Sequence, residues 1–155
     1  MKRHHALEPF SRDHFSGLVV AKHLQERPNT DSVSELLLLW KNEMEDHFRE
    51  EERLFAELAP AEMASRLMQD HREIEAMVRQ ASEGSLTDGE IVRLGKLIND
   101  HIRWEERQLF PALEQLSEID SIWASSMEME KRRQEDGHHQ RRAELVNRRT
   151  QENQE

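Results

Sequence analysis

Six residues with metal-binding side chains recur at helical spacing in the sequence. They are His14, His47, Glu51, His71, His101 and Glu105. Four of them form two His-x-x-x-Glu pairs, and residues four apart are neighbours on one face of an α-helix. Imidazole and carboxylate groups presented together in this way favour the binding of a first-row metal cation.

These six residues fall on stripes that are otherwise apolar, so they are expected to be buried. A buried carboxylate needs a compensating charge, and no Lys or Arg lies on the same stripes. Metal supplies that charge. Six ligands exceed what one tetrahedral zinc takes and suit two ions about 3.5–4 Å apart, with one or two carboxylates bridging them. Iron and manganese both fit this ligand set, and the abundance of imidazole favours iron.

Four predicted helices would position the six residues. They run from Ser11 to before Pro28, from the Asp31–Glu35 stretch to about Ala59, from Pro60 to about Gly84, and from Thr87 to about Leu116. Ser32-x-x-Glu35 and Thr87-x-x-Glu90 are predicted to be capping boxes. Pro111 falls inside the fourth helix, where we expect a kink rather than an end.

The inward-facing positions follow from spacings of three and four residues. In the first helix they are Phe10, His14, Gly17 or Leu18, Ala21 and Leu24, and in the third Leu67, His71, Ile74, Val78 and Ala81. In the second helix they are Val33, Leu37, Trp40, Met44, His47, Glu51, Leu54 and Leu58. In the fourth they are Ile91, Leu94, Ile98, His101, Glu105, Leu109, Ala112 and Leu116.

The four stripes predict an all-α fold, an up-down-up-down four-helix bundle with a C-terminal helical extension. A weak internal repeat supports it, because the two His-x-x-x-Glu pairs are 54 residues apart and His14 and His71 are 57 apart. Two similar helical hairpins related by an approximate two-fold axis would bring the four histidines to one level. We assign residues 1–117 to the bundle and 118–155 to a polar extension.

The extension changes in composition and has two interpretations. Its charged clusters and His138-His139 suggest a solvated helix or tail. Alternatively, Ile119, Ile122, Trp123 and Met127 could pack on the bundle or on a second subunit, giving a homodimer.

Composition excludes several classes of protein. With no Cys there are no disulfides or thiolate metal sites, and with no Tyr there is no phenolate ligand. A net charge of −10 argues against nucleic acid and anionic membranes as partners. No apolar run is long enough to cross a membrane, and the N-terminus lacks a signal-peptide pattern, so a cytoplasmic location is expected.

The order and spacing of these residues resemble those of hemerythrin-like proteins of the HHE cation-binding family, over about residues 4–117. The resemblance implies a non-haem di-iron centre, oxo- or hydroxo-bridged in some states, inside the bundle. It implies the same six ligands, with Glu51 and Glu105 bridging.

Two departures from oxygen-carrying hemerythrins are apparent. Those proteins have His-x-x-x-His on the third helix, where this chain has His71-x-x-x-Glu75. Their last ligand is an Asp five residues after its His, at the position of Glu106 here. Glu75 and Glu106 are therefore candidates for additional ligands or for carboxylates that support the ligands. We expect Glu75 to be a solvated helix residue.

Each of the four histidines also follows an Asp, at positions 13, 46, 70 and 100. An Asp at that position could reach a His on an adjacent helix, but we expect these residues to face water. His4, His5 and His23 are expected to lie outside the site, with His23 exposed or on a helix flank. Phe48 and Trp104, beside ligands, are expected to be core residues.

Three functions compete on this evidence. The first is binding of O2 or NO for sensing, storage or detoxification. The second is an oxidase, a peroxide-consuming enzyme or an iron donor for repair of metal centres, the last weakened by the absence of the Cys-containing segment seen in such relatives. The third is an interaction module whose metal is structural.

Overall fold

The computed structural model describes residues 2–135, with side chains described to residue 132, and this part of the chain is all-α. Its helices are α1 (Glu8–Glu26), α2 (Thr30–Leu39, Trp40–Met44 and Glu45–Phe55 in succession), α3 (Ala61–Ser82), α4 (Asp88–Trp104, Glu105–Leu109 and Phe110–Glu114) and α5 (Trp123–Glu135). The middle segments of α2 and α4 are π-helical. Two 3₁₀ turns, His5–Leu7 and Ser117–Ile122, precede α1 and α5.

The helix starts confirm one of the two predicted capping boxes. At α4, the Glu90 amide donates to the Thr87 hydroxyl and the Thr87 amide donates to the Glu90 carboxylate. At α2 the predicted box is wrong, because Asn29 is the cap and exchanges hydrogen bonds with Ser32.

The predicted start of α1 near Ser11 is also wrong. The helix begins at Glu8, with Pro9 in its first turn. A proline fits there because the first amides of a helix have no partner within it, so its missing N–H costs nothing.

The π-helical segment of α2 shifts the inward-facing stripe by one residue relative to the prediction. Before this segment the buried residues are Ser32, Leu36 and Leu39, whereas the predicted Val33 and Leu37 are only half-buried. A π-helical turn holds one residue more than an α-helical turn, so positions on its two sides do not follow a single period. After it, His47 and Glu51 face inward as predicted.

The same effect appears in α4 after its π-helical segment. The buried residues there are Leu109, Phe110 and Leu113, while the predicted Ala112 and Leu116 are half-buried. The helix does continue past Pro111, which lies in the first turn of Phe110–Glu114 directly after the π-helical segment.

α1 packs most extensively against α4, and a glycine permits the close approach. A Cβ atom on Gly95 would lie 2.7 Å from the carbonyl oxygen of Ala21 and 2.9 Å from Cβ of Leu24. Gly84 has a different role: its φ of +70° forms the left-handed turn that follows α3.

The apolar core consists of two clusters with the six polar residues between them. One cluster contains Leu24, Leu36, Ile74, Leu94 and Ile98 among others. The second lies near the N-terminal end of α1 and contains Phe10, Phe55, Leu67 and Phe110 among others. Along α1, for example, Phe10 belongs to the second cluster, His14 follows, and Leu24 belongs to the first. The polar layer is therefore shielded by apolar side chains on both sides.

The start of the C-terminal extension packs on the bundle. Ile119, Ile122 and Met129 are buried in the second apolar cluster, with Ala6 and Leu7 of the first 3₁₀ turn. This supports the packed interpretation for residues 118–132. The histidine pair at 138–139 and the basic clusters beyond it lie outside the described residues, and the domain division at 117/118 remains a prediction. Within residues 2–135, no helix is long and apolar enough to cross a membrane.

Candidate metal centre

The six residues singled out by their spacing meet in the middle of the bundle. α1 and α3 each contribute one histidine, while α2 and α4 each contribute a histidine and a glutamate one turn later. All six are buried, and Glu51 and Glu105 are both 0% exposed. Two carboxylates without solvent contact at one level of a helical bundle require an electrostatic explanation.

The side chains form two groups of four potential ligands each. The first is His14, His47, Glu51 and Glu105, and the second is Glu51, His71, His101 and Glu105. In each group one ligand atom per residue lies within 4.8 Å of the others. The two glutamates belong to both groups, which is the arrangement that bridging carboxylates between two cations would have.

Each imidazole presents Nε2 to one of these glutamates. The Nε2 atoms of His47 and His71 lie 3.1 Å and 3.2 Å from the two oxygens of Glu51. Those of His101 and His14 lie 2.7 Å and 3.7 Å from Oε1 of Glu105.

None of these inward-facing atoms has a properly aligned hydrogen bond. The four Nε2 atoms and all four oxygens of the two glutamates are buried without a hydrogen-bond partner among the described residues. Buried polar atoms are normally paired, and eight such atoms converging on one region could hold a cation between them. The donor set of imidazole nitrogen and carboxylate oxygen fits iron or manganese.

The other nitrogen of each imidazole, Nδ1, contacts a carboxylate from a different helix. The pairs are His14 with Glu106 at 2.7 Å, and His47 with Asp13, His71 with Glu52 and His101 with Asp70, each at 2.9 Å. The carboxylates of α1, α2, α3 and α4 contact the histidines of α2, α3, α4 and α1, respectively, so the four pairs form a closed ring. A proton held on Nδ1 by the carboxylate leaves the Nε2 lone pair directed at the centre.

The expectation that the Asp preceding each His faces water is therefore half wrong. Asp13 and Asp70 point into the bundle and hold a histidine of the next helix. Asp46 and Asp100 are exposed, and Asp100 pairs with Lys96. The same position lies on a helix–helix contact in α1 and α3, whereas in α2 and α4 it lies on the outer face.

Sequence reasoning missed Glu52, which contacts Nδ1 of His71. A signal was present: each bridging candidate is followed by a second glutamate, at Glu52 and Glu106. Glu106 was a candidate, and the structure places it against Nδ1 of His14 and the guanidinium of Arg3 at 3.0 Å. Glu75 belongs to neither group of ligands and pairs with Arg49 instead.

The two shared glutamates differ in their electrostatics. Burial raises the pKa of Glu51 well above its usual range, and the nearby Glu105 carboxylate raises it further. Burial acts on Glu105 in the same direction, but the imidazoles of His101 and His14 hold its pKa well below the usual range. The histidines thus stabilise the negative charge of Glu105, whereas a cation would have to stabilise the negative charge of Glu51.

The histidines also differ. Burial alone would lower the pKa of His14 and His101, but the carboxylates beside them raise each to about 9. Burial lowers the pKa of His71 to about 2, and the charge of His101 contributes to this shift.

Aromatic rings restrict the imidazoles further. Phe48 stacks on His71, with ring centroids 3.8 Å apart and planes 2° from parallel. Phe110 stacks on His14 at 5.5 Å. Trp104 is buried beside His101, as expected for a core residue.

A cavity adjoins the centre on the side of the first apolar cluster. It offers about 20 Å³ to a water-sized molecule, and its apolar wall includes Leu39, Phe48, Ile98 and Ile102. Its polar lining comes from ligand candidates, from Asp13 and from Glu43. Space of this size admits at least one water-sized molecule.

The remaining histidines lie outside this centre. The prediction of an exposed or flanking His23 is wrong, because the side chain is buried and its Nδ1 lies 2.9 Å from Glu35. His4 and His5 form a separate, more exposed group with Asp120. There, Nδ1 of His4 already accepts a hydrogen bond from the amide of Ala6.

Fold and centre together define an all-α protein with a buried cation-binding site between its helices. A family model, the hemerythrin HHE cation binding domain, matches residues 2–113, and the chain belongs to this family. The match spans all six of the central side chains. Comparison with curated proteins gave no match, and neither did comparison with solved structures.

Proposed function

We propose that the protein holds two iron ions in a non-haem centre. The ligands would be His14 and His47 for one ion and His71 and His101 for the other, with Glu51 and Glu105 shared. The observation that carries this proposal is the convergence of eight buried, unpaired nitrogen and oxygen atoms in two groups that share both glutamates. Iron in such a site supplies redox and ligand-binding chemistry.

The protein's own residues then determine what reaches the centre. Apolar side chains above and below the polar layer exclude bulk water, and the cavity accommodates one small molecule. We propose that this molecule is O2 or NO, bound for sensing, storage or detoxification. The size of the cavity and its largely apolar wall support a diatomic ligand.

A second candidate function is consumption of hydrogen peroxide. One observation favours it: Glu43, a carboxylate that is 5% exposed, lies in the wall of the same cavity. A ligand that carries protons could donate a hydrogen bond to it, which a bare diatomic gas cannot.

We also propose a cytoplasmic protein that dimerises through its C-terminal extension. The support for the dimer is that Trp123 and Met127 on α5 are 38% and 54% exposed. Light scattering after gel filtration tests it, and a mass corresponding to one chain would exclude this dimer.

The decisive experiment is metal analysis of aerobically purified protein together with its visible spectrum. We expect about two irons per chain and near-ultraviolet bands typical of bridged ferric ions. The double variant His47→Ala/His101→Ala removes one imidazole from each group, and it should lose both the iron and the bands.

A matched control is His5→Ala, which removes an exposed imidazole that belongs to neither of the two central groups. It should retain full iron content. One zinc per chain, or no metal after anaerobic reconstitution with ferrous iron, would overturn the di-iron proposal. Gas titration of the reduced protein and a peroxide-consumption assay then separate the two candidate functions.

A further inference from the structure

Glu43 is a buried glutamate that is not one of the six candidate ligands. It lies on α2 one turn before His47, in the π-helical segment Trp40–Met44. The side chain is 5% exposed, and the neighbouring Met44 is 8% exposed. Two consecutive residues of this π-helical segment are thus buried.

Glu43 lies in the wall of the cavity that adjoins the candidate metal centre. It lines the same space as His14, His47 and Glu105, and much of the remaining wall is apolar. Asp13, also in this wall, is held by Nδ1 of His47. The carboxylate of Glu43 therefore lies where a small ligand of the candidate centre would be bound.

We propose that Glu43 accepts a hydrogen bond from the small ligand in this cavity and thereby favours ligands that carry a proton. The class comprises water, hydroxide and hydrogen peroxide, as opposed to azide, NO or O2. This inference rests on the proposed di-iron centre and, of the two candidate functions proposed for it, favours consumption of hydrogen peroxide over binding of O2 or NO.

The physical reason applies to Glu43 in its ionised form, because an ionised carboxylate accepts hydrogen bonds and cannot donate them. An O–H group gains a charge-assisted hydrogen bond, which is stronger than a neutral one. A ligand with only lone pairs faces the lone pairs of Glu43 and, if it is anionic, is repelled by the charge. The cavity is already bordered by the carboxylates of Asp13 and Glu105, which adds to this repulsion.

The test uses the full-length, iron-loaded protein and azide as an anionic ligand without protons. Glu43→Leu removes both charge and hydrogen-bonding capacity, while Glu43→Gln removes only the charge. Glu45→Gln is the matched control, because it removes a carboxylate two residues away that is exposed. Iron content is measured first for every variant, and azide affinity is then obtained from the visible spectrum.

We expect about two irons per chain in all variants and about tenfold tighter azide binding in both Glu43 variants, with Glu45→Gln unchanged. The spectral reaction with hydrogen peroxide should be about tenfold slower in Glu43→Leu and less affected in Glu43→Gln, because the amide oxygen still accepts.

Two results would overturn the inference about Glu43 and leave the di-iron proposal intact. The first is unchanged azide affinity in iron-loaded Glu43→Leu and Glu43→Gln. The second is loss of iron in Glu43→Gln, since that would make Glu43 part of the metal-holding set. Absence of iron from the unmodified protein is a different result, seen before azide is added, and it would overturn the proposed function as well.

Discussion

Nδ1 of His71 lies 2.9 Å from the carboxylate of Glu52. Nε2 of the same ring lies 3.2 Å from Glu51, the residue immediately before Glu52. Two consecutive glutamates of α2 thus lie beside the two nitrogens of one imidazole on α3. The pair Glu105 and Glu106 on α4 does the same for His14 on α1. The internal repeat is therefore a repeat of interactions and not only of sequence.

This relationship predicts that Glu52 contributes to metal retention without being a ligand. Glu52→Gln should weaken metal affinity about 10- to 100-fold, because the Nδ1 proton loses its charged acceptor and the ring is held less firmly. Competition with a chelator measures the affinity. The matched control is Glu57→Gln, an exposed residue of the same stretch of chain that should have no effect. Equal metal retention in both variants would show that the Glu52 contact has no such role.

The cavity yields a prediction about ligand size. A Cβ atom on Gly17 would lie 2.8 Å from Cδ1 of Ile102, and both residues line the cavity. Gly17→Ala should therefore lower the affinity for azide about tenfold while iron content stays the same, because the methyl group takes up scarce space. Gly17→Ala/Ile102→Val should restore much of the affinity. An unaffected single variant would place the ligand elsewhere.

The stability of the metal-free protein should fall as the pH rises from 6.5 to about 9. In the folded chain the pKa values of His14 and His101 are raised to about 9 from 6.5. A group whose pKa is higher in the folded chain than in the unfolded chain stabilises the folded state at pH values below the unfolded-chain pKa. This contribution is lost as the pH rises through the folded-chain pKa. The raised pKa of Glu51 acts in the same direction. His71, with its pKa lowered to about 2, is neutral throughout this range.

Urea unfolding of chelator-treated protein at several pH values measures this dependence. His14→Gln should give a shallower slope, because one of the two titrating imidazoles is removed. Metal affinity should change in the opposite sense and increase over the same range, since cations require deprotonated Nε2 atoms. A metal-free stability that is constant or increases from pH 6.5 to 9 would contradict the prediction.

Replacing two glycines of α4 by alanine should change the stability of the protein in opposite directions, because Gly95 lies in the contact with α1 and Gly89 does not. Gly95→Ala should lower the free energy of unfolding by about 1–3 kcal/mol, because the new methyl group meets the backbone oxygen of Ala21. Gly89→Ala should raise it by up to about 1 kcal/mol, because the position is exposed, has open space around it and gains helix propensity. Chemical denaturation of both variants gives the comparison. A destabilised Gly89→Ala together with a neutral Gly95→Ala would refute it.

The helical class and the inward-facing positions of the six central residues could be predicted from the residue pattern alone. These conclusions rest on periodicity and on capping signals such as Thr87 with Glu90, which are local and need no knowledge of the fold. The resemblance to the HHE family also rests on local signals, because the family's pattern is a set of residue spacings along helices.

The carboxylates that contact the histidines could not be predicted from the residue pattern, because they depend on how the helices pack. Asp13 and Asp46 occupy the same position relative to their histidines, yet one contacts a neighbouring helix and the other faces water. Glu43 lines the cavity from a π-helical segment, and the predicted inward-facing stripe of α2, which passed through Met44, did not include it. Contacts between helices depend on how the helices rotate against one another, and that is set by the packing of the whole core.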